Sequence, residues 1–164
     1  MDKTFLEELV EYPAIAIQKI GTDESIVKLL TNNPDVDMNS EEADGVFENN
    51  IFDYDYVDDT INEASAYICV ESDVVKIPNS TVKNMRLYVT VKCHKKFMKI
   101  DISKFKGIIG NRRDNLSMQV DRVLNGSDLF GIGQLQLESV RVISAPAGFT
   151  ARELTYKMPE FNTR

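Results

Sequence analysis

The chain has 164 residues, 43% hydrophobic and 27% charged, a size and balance that fit one domain with a real core. No stretch approaches the roughly 18 apolar residues of a membrane helix, and Met1-Asp2-Lys3-Thr4-Phe5-Leu6-Glu7-Glu8 places acids where a signal peptide needs a basic region; a protein made in a cytoplasm, without a membrane, is expected. The net charge of −7 is unevenly spread: residues 1–65 hold 17 Asp/Glu against 3 Lys/Arg, and residues 66–164 hold 9 against 16.

Residues 1–34 read as N-terminal helices packed on the core. Phe5, Leu6, Leu9 and Val10 recur at helical spacing, with Glu7, Glu8 and Glu11 on the outer face. Pro13 is expected to interrupt this helix, which resumes at Ala14 and runs to Gly21. Thr22 is the expected N-cap of a second helix, with Asp23 and Glu24 favoured in its first turn by the helix dipole. Ile26, Val27, Leu29 and Leu30 give its apolar face, and Asn32-Asn33-Pro34 ends it.

Residues 35–50 are acidic, polar and aperiodic, and read as a loop or arm. Residues 51–164 form an α+β core domain. Ile51–Val57 predicts a strand with Phe52, Tyr54 and Tyr56 on one face and Asp53 and Asp55 on the other. A second strand runs through Ala66, Ile68 and Val70, followed by a turn at Pro78-Asn79-Ser80. Leu87, Val89, Val91 and Cys93, alternating with Tyr88, Thr90, Lys92 and His94, predict a strand with one dry and one wet face.

A helix over 111–125 is predicted from Asn111 as cap, Asp114 three residues on, and a stripe of Leu116, Val120, Val123 and Leu124 closed by Asn125-Gly126. Strands at Gln134–Glu138 and Glu153–Met158 follow, separated by a turn at Ala145-Pro146-Ala147-Gly148. The expected fold is a single α+β domain, a mostly antiparallel sheet backed by one long helix.

Chemistry-bearing patterns are few. Cys69 and Cys93 sit in apolar runs and read as buried free thiols, although a disulfide or a metal pair is open to them. Asp53, Asp55, Asp58 and Asp59 could offer carboxylates to Mg²⁺ or Ca²⁺, or form a hydrated face. His94, the one histidine, lies among Lys92, Lys95 and Lys96 and reads as a surface residue. Hydrolase motifs are absent, and the glycines of Lys106-Gly107-Ile108-Ile109-Gly110 and of Phe130-Gly131-Ile132-Gly133 match no phosphate-binding signature. No catalytic residue, cofactor or metal is therefore expected. The basic stretch 92–113 (Lys92, Lys95, Lys96, Lys99, Lys104, Lys106, Arg112 and Arg113) could contact nucleic-acid phosphates, which would make the chain a nucleic-acid-binding accessory protein. It could equally be the electrostatic mate of the acidic half.

From about Ile51 to Phe161, the runs Tyr67-Ile68-Cys69-Val70-Glu71, Leu87-Tyr88-Val89-Thr90-Val91-Lys92-Cys93-His94-Lys95, Gly110-Asn111-Arg112-Arg113-Asp114-Asn115-Leu116, Phe130-Gly131-Ile132-Gly133-Gln134-Leu135 and Leu154-Thr155-Tyr156 resemble structural proteins of the head–tail region of tailed phages. The resemblance implies a non-enzymatic virion protein, a neck or tail-terminator subunit in a six- or twelve-fold ring. Its neighbours would be portal, adaptor or tail-tube proteins, and genome DNA would at most pass through the ring. A ring needs two different faces to meet; Lys95, Lys96, Arg112 and Arg113 are expected to face Asp53, Asp55, Asp58 and Asp59 of the next subunit.

Overall fold

The computed structural model describes residues 4, 6–131 and 133–158; Phe5, Ile132 and Phe161 lie outside the described residues. The elements run α1 (Glu8–Gly21), α2 (Glu24–Thr31), α3 (Glu41–Asp44), α4 (Val46–Asn49), β1 (Ile51–Phe52), β2 (Ala66–Asn79), β3 (Val82–His94), a single 3₁₀ turn (Lys95–Phe97), α5 (Arg112–Leu124), β4 (Gln136–Ile143) and β5 (Phe149–Lys157). The strands form one sheet in the order β1-β2-β3-β5-β4. The α+β class expected from sequence is observed, with two corrections. The sheet is mixed, because β1 pairs parallel to β2, and its cover is shared by α1, α2 and α5 rather than supplied by one long helix.

Period-two alternation divides the sheet into two unlike faces. Ile68, Val70, Leu87, Val89, Val91, Leu154 and Tyr156 point to the helices and join Ala16, Ile20, Ile26, Leu29, Leu116, Val120 and Leu124 in the main core. Tyr67, Cys69, Lys92 and Ala151 point the other way. On that second face a smaller core of Val57, Tyr67 and Phe149, with Phe52, Tyr56 and Ile61 against it, covers one end only. The helical layer stops short of β4, an edge strand whose Val140 and Val142 remain exposed.

Pro13 does not break α1. An interior proline cannot donate to the carbonyl four residues earlier, here Leu9. The Ser72 hydroxyl of β2 takes that place, donating to Leu9 O at 3.1 Å. The hydrogen bond lost by the helix thus becomes a tie between α1 and the sheet. The expected apolar stripe is also rotated: Val10 is exposed, and Tyr12, Pro13, Ala16, Ile20 and Gly21 are buried.

Thr22 belongs to the end of α1, its hydroxyl donating to Gln18 O at 2.7 Å. The N-cap of α2 is Asp23, which accepts from Ile26 N at 3.0 Å. Asn32 closes α2 in the left-handed region at φ 54°. Residues 35–50, read as a loop or arm, hold α3 and α4 and bury Val36, Ala43 and Val46. The Phe47 ring lies so close over Gly21 that a Cβ there would stand 2.3 Å from it. Only glycine lets α4 dock against the end of α1.

Two stability outcomes follow from these contacts. Ser72→Ala should lower the unfolding free energy by about 1 kcal/mol in urea titrations, and by less in a Pro13→Ala background, where residue 13 regains its amide donor. Gly21→Ala should cost more than a solvent-facing substitution on the same helix, measured the same way.

Candidate functional site

The acidic residues singled out from sequence do not lie on a strand. β1 ends at Phe52, and the chain then folds back over the second face of the sheet as an irregular strap. Aromatic stacking holds it there: the Phe52 and Tyr56 rings stack at 4.0 Å between centroids, Tyr56 packs on Tyr67 at 5.4 Å, and Tyr67 on Phe149 at 6.0 Å. Asp53, Asp55, Asp58 and Asp59 are all exposed along this strap. Asp55 pairs with the Lys92 ammonium, and Asp58 accepts from the Thr60 amide at 2.8 Å in a local turn. Among the described residues no group of three His, Cys, Asp or Glu side chains is arranged to hold a metal ion.

The strap over Lys92 and the 148–149 turn over His94 change what is wet on β3. Lys92 and His94, expected on an exposed face, are both buried. His94 Nδ1 accepts from Lys96 N at 3.1 Å, and its ring meets Phe149 edge-on at 5.1 Å. The imidazole is thus a packing element at the end of the strand. Cys69 and Cys93 are buried and free, on opposite faces of the sheet. Burial pushes the Cys93 thiol up to about 12, far from the thiolate that nucleophilic chemistry requires.

The basic stretch separates into two groups with different work. Arg112, expected to face a neighbouring subunit, is only 1% exposed, and all its acceptors lie within the chain. Its Nη1 donates to Leu29 O at 2.6 Å, Nη2 to Asn32 Oδ1 at 2.9 Å and Nε to Phe97 O at 2.8 Å. The guanidinium carbon lies 3.9 Å from the centre of the Phe97 ring. Leu29 O belongs to the last turn of α2, where carbonyls lack helical partners and a cation is favoured. Arg112 is therefore withdrawn from the interface set, because its fork is consumed in joining α5, α2 and the 3₁₀ turn.

Arg113 is mostly covered and pairs with Asp114 at 3.0 Å, and Arg152 pairs with the same Asp114 oxygen at 2.8 Å. Burial raises the Asp114 carboxyl, but hydrogen bonds from Arg152, Arg113 and Asn111 outweigh it and hold it at about 2. The expected cap of α5 is observed, with Asn111 Oδ1 accepting from Asp114 N at 2.8 Å. The Arg112 amide donates to Met98 O at 2.8 Å. These bonds use up first-turn amides that a phosphate would need.

What remains outside is a loop from Lys95 to Gly110 with Lys95, Lys96, Lys99, Lys104 and Lys106 all exposed. Ile102 is 74% and Ile109 90% exposed beside them. The loop is fixed from within by buried Phe105 and by Asn115 Nδ2, which donates to Ile109 O at 2.8 Å. The only signal of Arg112's internal role was its helical position, which shares the Leu116 and Val120 side of α5.

Arg112→Met should lower stability by roughly 3–5 kcal/mol in chemical denaturation, the scale for orphaning buried polar partners. Arg112→Lys should recover little, since an ammonium cannot reproduce the fork. Because the folded pKa of Asp114 is depressed, its stabilising contribution is complete above the unfolded carboxyl value near 4 and is lost as pH falls towards 2. Acid titration of Asp114→Asn should therefore show a shallower loss of stability across that window than the unsubstituted chain.

Among the described residues no helix is long and apolar enough to cross a membrane. No curated protein matches the sequence. The fold is similar to that of a chain in the solved structure described as "Virion of native gene transfer agent (GTA) particle", with a TM-score of 0.56, 12% identity, and coverage of 92% of this chain and 94% of that one. Residues 23–158 match the YomW family, a span that takes in everything from α2 to β5, and the chain belongs to that family.

Proposed function

We propose that this chain is a non-enzymatic structural protein of a tailed-phage-type virion, made in the host cytoplasm and built into the particle as a ring-forming neck or tail-terminator subunit. The observation that carries the reading is the likeness, nearly end to end on both chains, to a subunit of a gene-transfer-agent virion. The site geometry supports it: the one histidine and both thiols are packed inside, while the charged groups left outside are arranged as surfaces.

Ring closure by a head-to-tail contact needs two complementary faces on one subunit. The exposed strap carboxylates Asp53, Asp58 and Asp59 and the exposed Lys95 and Lys96 supply them, with Asp55 a lesser contributor because it pairs with Lys92 and Arg113 because it is mostly covered. Portal, adaptor or tail-tube proteins are the expected neighbours above and below, and genome DNA would pass through the opening.

Mass spectrometry of gradient-purified particles should find the chain at six or twelve copies per particle. Its absence from particles that retain their other structural proteins would sink the reading. Lys95→Glu with Lys96→Glu should reduce the ring fraction in native mass spectrometry, more at low salt than at high, because screening weakens exposed charge pairs.

A further inference from the structure

The helical side of the molecule carries a pocket that the fold leaves unfilled. It opens between α2, α5 and the 105–109 loop with a volume of about 440 Å³, within the range of binding pockets. Leu29, Phe105, Ile108, Ile109, Met118 and Gln119 line it. Met118 is 52% exposed at its edge. Gln119 Oε1, in the same wall, is the one buried side-chain nitrogen or oxygen among the described residues without a hydrogen-bond partner. Lys28 also lines the pocket but is paired with Glu24 at 2.7 Å; the unshared positive charge comes from the exposed Lys104 and Lys106, which flank Phe105 in the loop that forms the lip.

An apolar hollow with a cationic lip selects an apolar knob set among acids. Residues 35–63 hold eleven Asp/Glu and no Lys or Arg. Within that stretch Tyr54 is the one large hydrophobic side chain exposed among the described residues, at 54%. Asp53 and Asp55 flank it. Tyr54 cannot reach the pocket of its own chain, because it packs with Phe52 and Tyr56 on the sheet face opposite the helices.

We infer that the pocket receives the Tyr54 side chain of a second copy, with the Asp53 carboxylate against Lys104 and Lys106, while Asp55 stays paired with Lys92 of its own chain and Asp58 and Asp59 are left to meet Lys95 and Lys96. Knob and socket lie on opposite sides of the sheet, so one contact leaves a free knob on one copy and a free socket on the other. The contact is heterologous and propagates until it closes. This rests on the ring-forming reading above and names the anchor that the charge pairing alone does not supply.

The test is sedimentation velocity on the purified chain, with Tyr54→Ala and Met118→Arg as knob and socket variants. The unsubstituted chain should sediment above the monomer, and each variant should lose that boundary. An equimolar mixture should recover a two-chain species, because one variant retains the socket and the other the knob. Tyr54→Phe should assemble normally, and unchanged circular dichroism of Tyr54→Ala separates lost contact from lost fold. Under mild oxidation, Tyr54→Cys combined with Met118→Cys should give a ladder of linked chains.

A monomer at every concentration, a Tyr54→Ala variant that sediments like the parent, or a mixture that fails to pair overturns the contact. Particle composition is a separate measurement. A chain found in particles whose Tyr54→Ala variant still assembles rejects this anchor and leaves the virion reading standing.

Discussion

The fold depends on a buried cation that has no carboxylate among the acceptors described. Arg112 enters from the first turn of α5 and is met by two backbone carbonyls, one side-chain amide and an aromatic face. Desolvating a guanidinium is costly, so the arrangement holds only while every acceptor stays in place. That requirement fixes the end of α2, the start of α5 and the 3₁₀ turn relative to one another. It also fixes the basic loop, whose backbone leaves Phe97 and returns to α5 under the same constraint. Sixteen residues with little regular structure are thereby displayed as a defined surface.

The second organising feature is the inequality of the two sheet faces. On one, helices supply a continuous apolar layer. On the other, the cover among the described residues is a strap held by stacked rings and by the Lys92–Asp55 pair, together with Ala145 and Phe149. A subunit made this way cannot be symmetric front to back. Such asymmetry is what a heterologous contact requires, and it arises from the sequence order in which an acidic aromatic segment precedes the first long strand.

Much of this was legible in the sequence where local and tertiary demands agree. The strand β3 with its dry face and the Asn111 cap of α5 read correctly because an apolar strand face and a helix cap are set by neighbours in the chain. Pro13 misled because the partner that rescues α1, Ser72, lies 63 residues away. The short helices at 41–49 were hidden because Val36, Ala43 and Val46 are too few and unevenly spaced to show a period. Lys92, His94 and Arg112 were read as surface groups by residue type. What covers Lys92 is a strap whose course no pattern encodes, and what covers His94 is the Gly148–Phe149 turn far along the chain. What buries the third is a set of acceptors from three separated segments. The acidic and basic segments themselves were visible, but which of their charges stay outside was not.

The β4 edge bears on how the chain behaves before it meets anything. Among the described residues its outer backbone groups have no neighbouring strand in the sheet, a situation that invites fibril-like stacking of identical chains. The register breaks between Leu137 and Ser139, Glu138 is held by Arg86 at 2.8 Å across the sheet, and Arg141 stands exposed three residues beyond Glu138. A kink and two charges on so short a strand make a poor template for another β-strand. The β4 edge is thereby poorly suited to template the stacking of one copy on another.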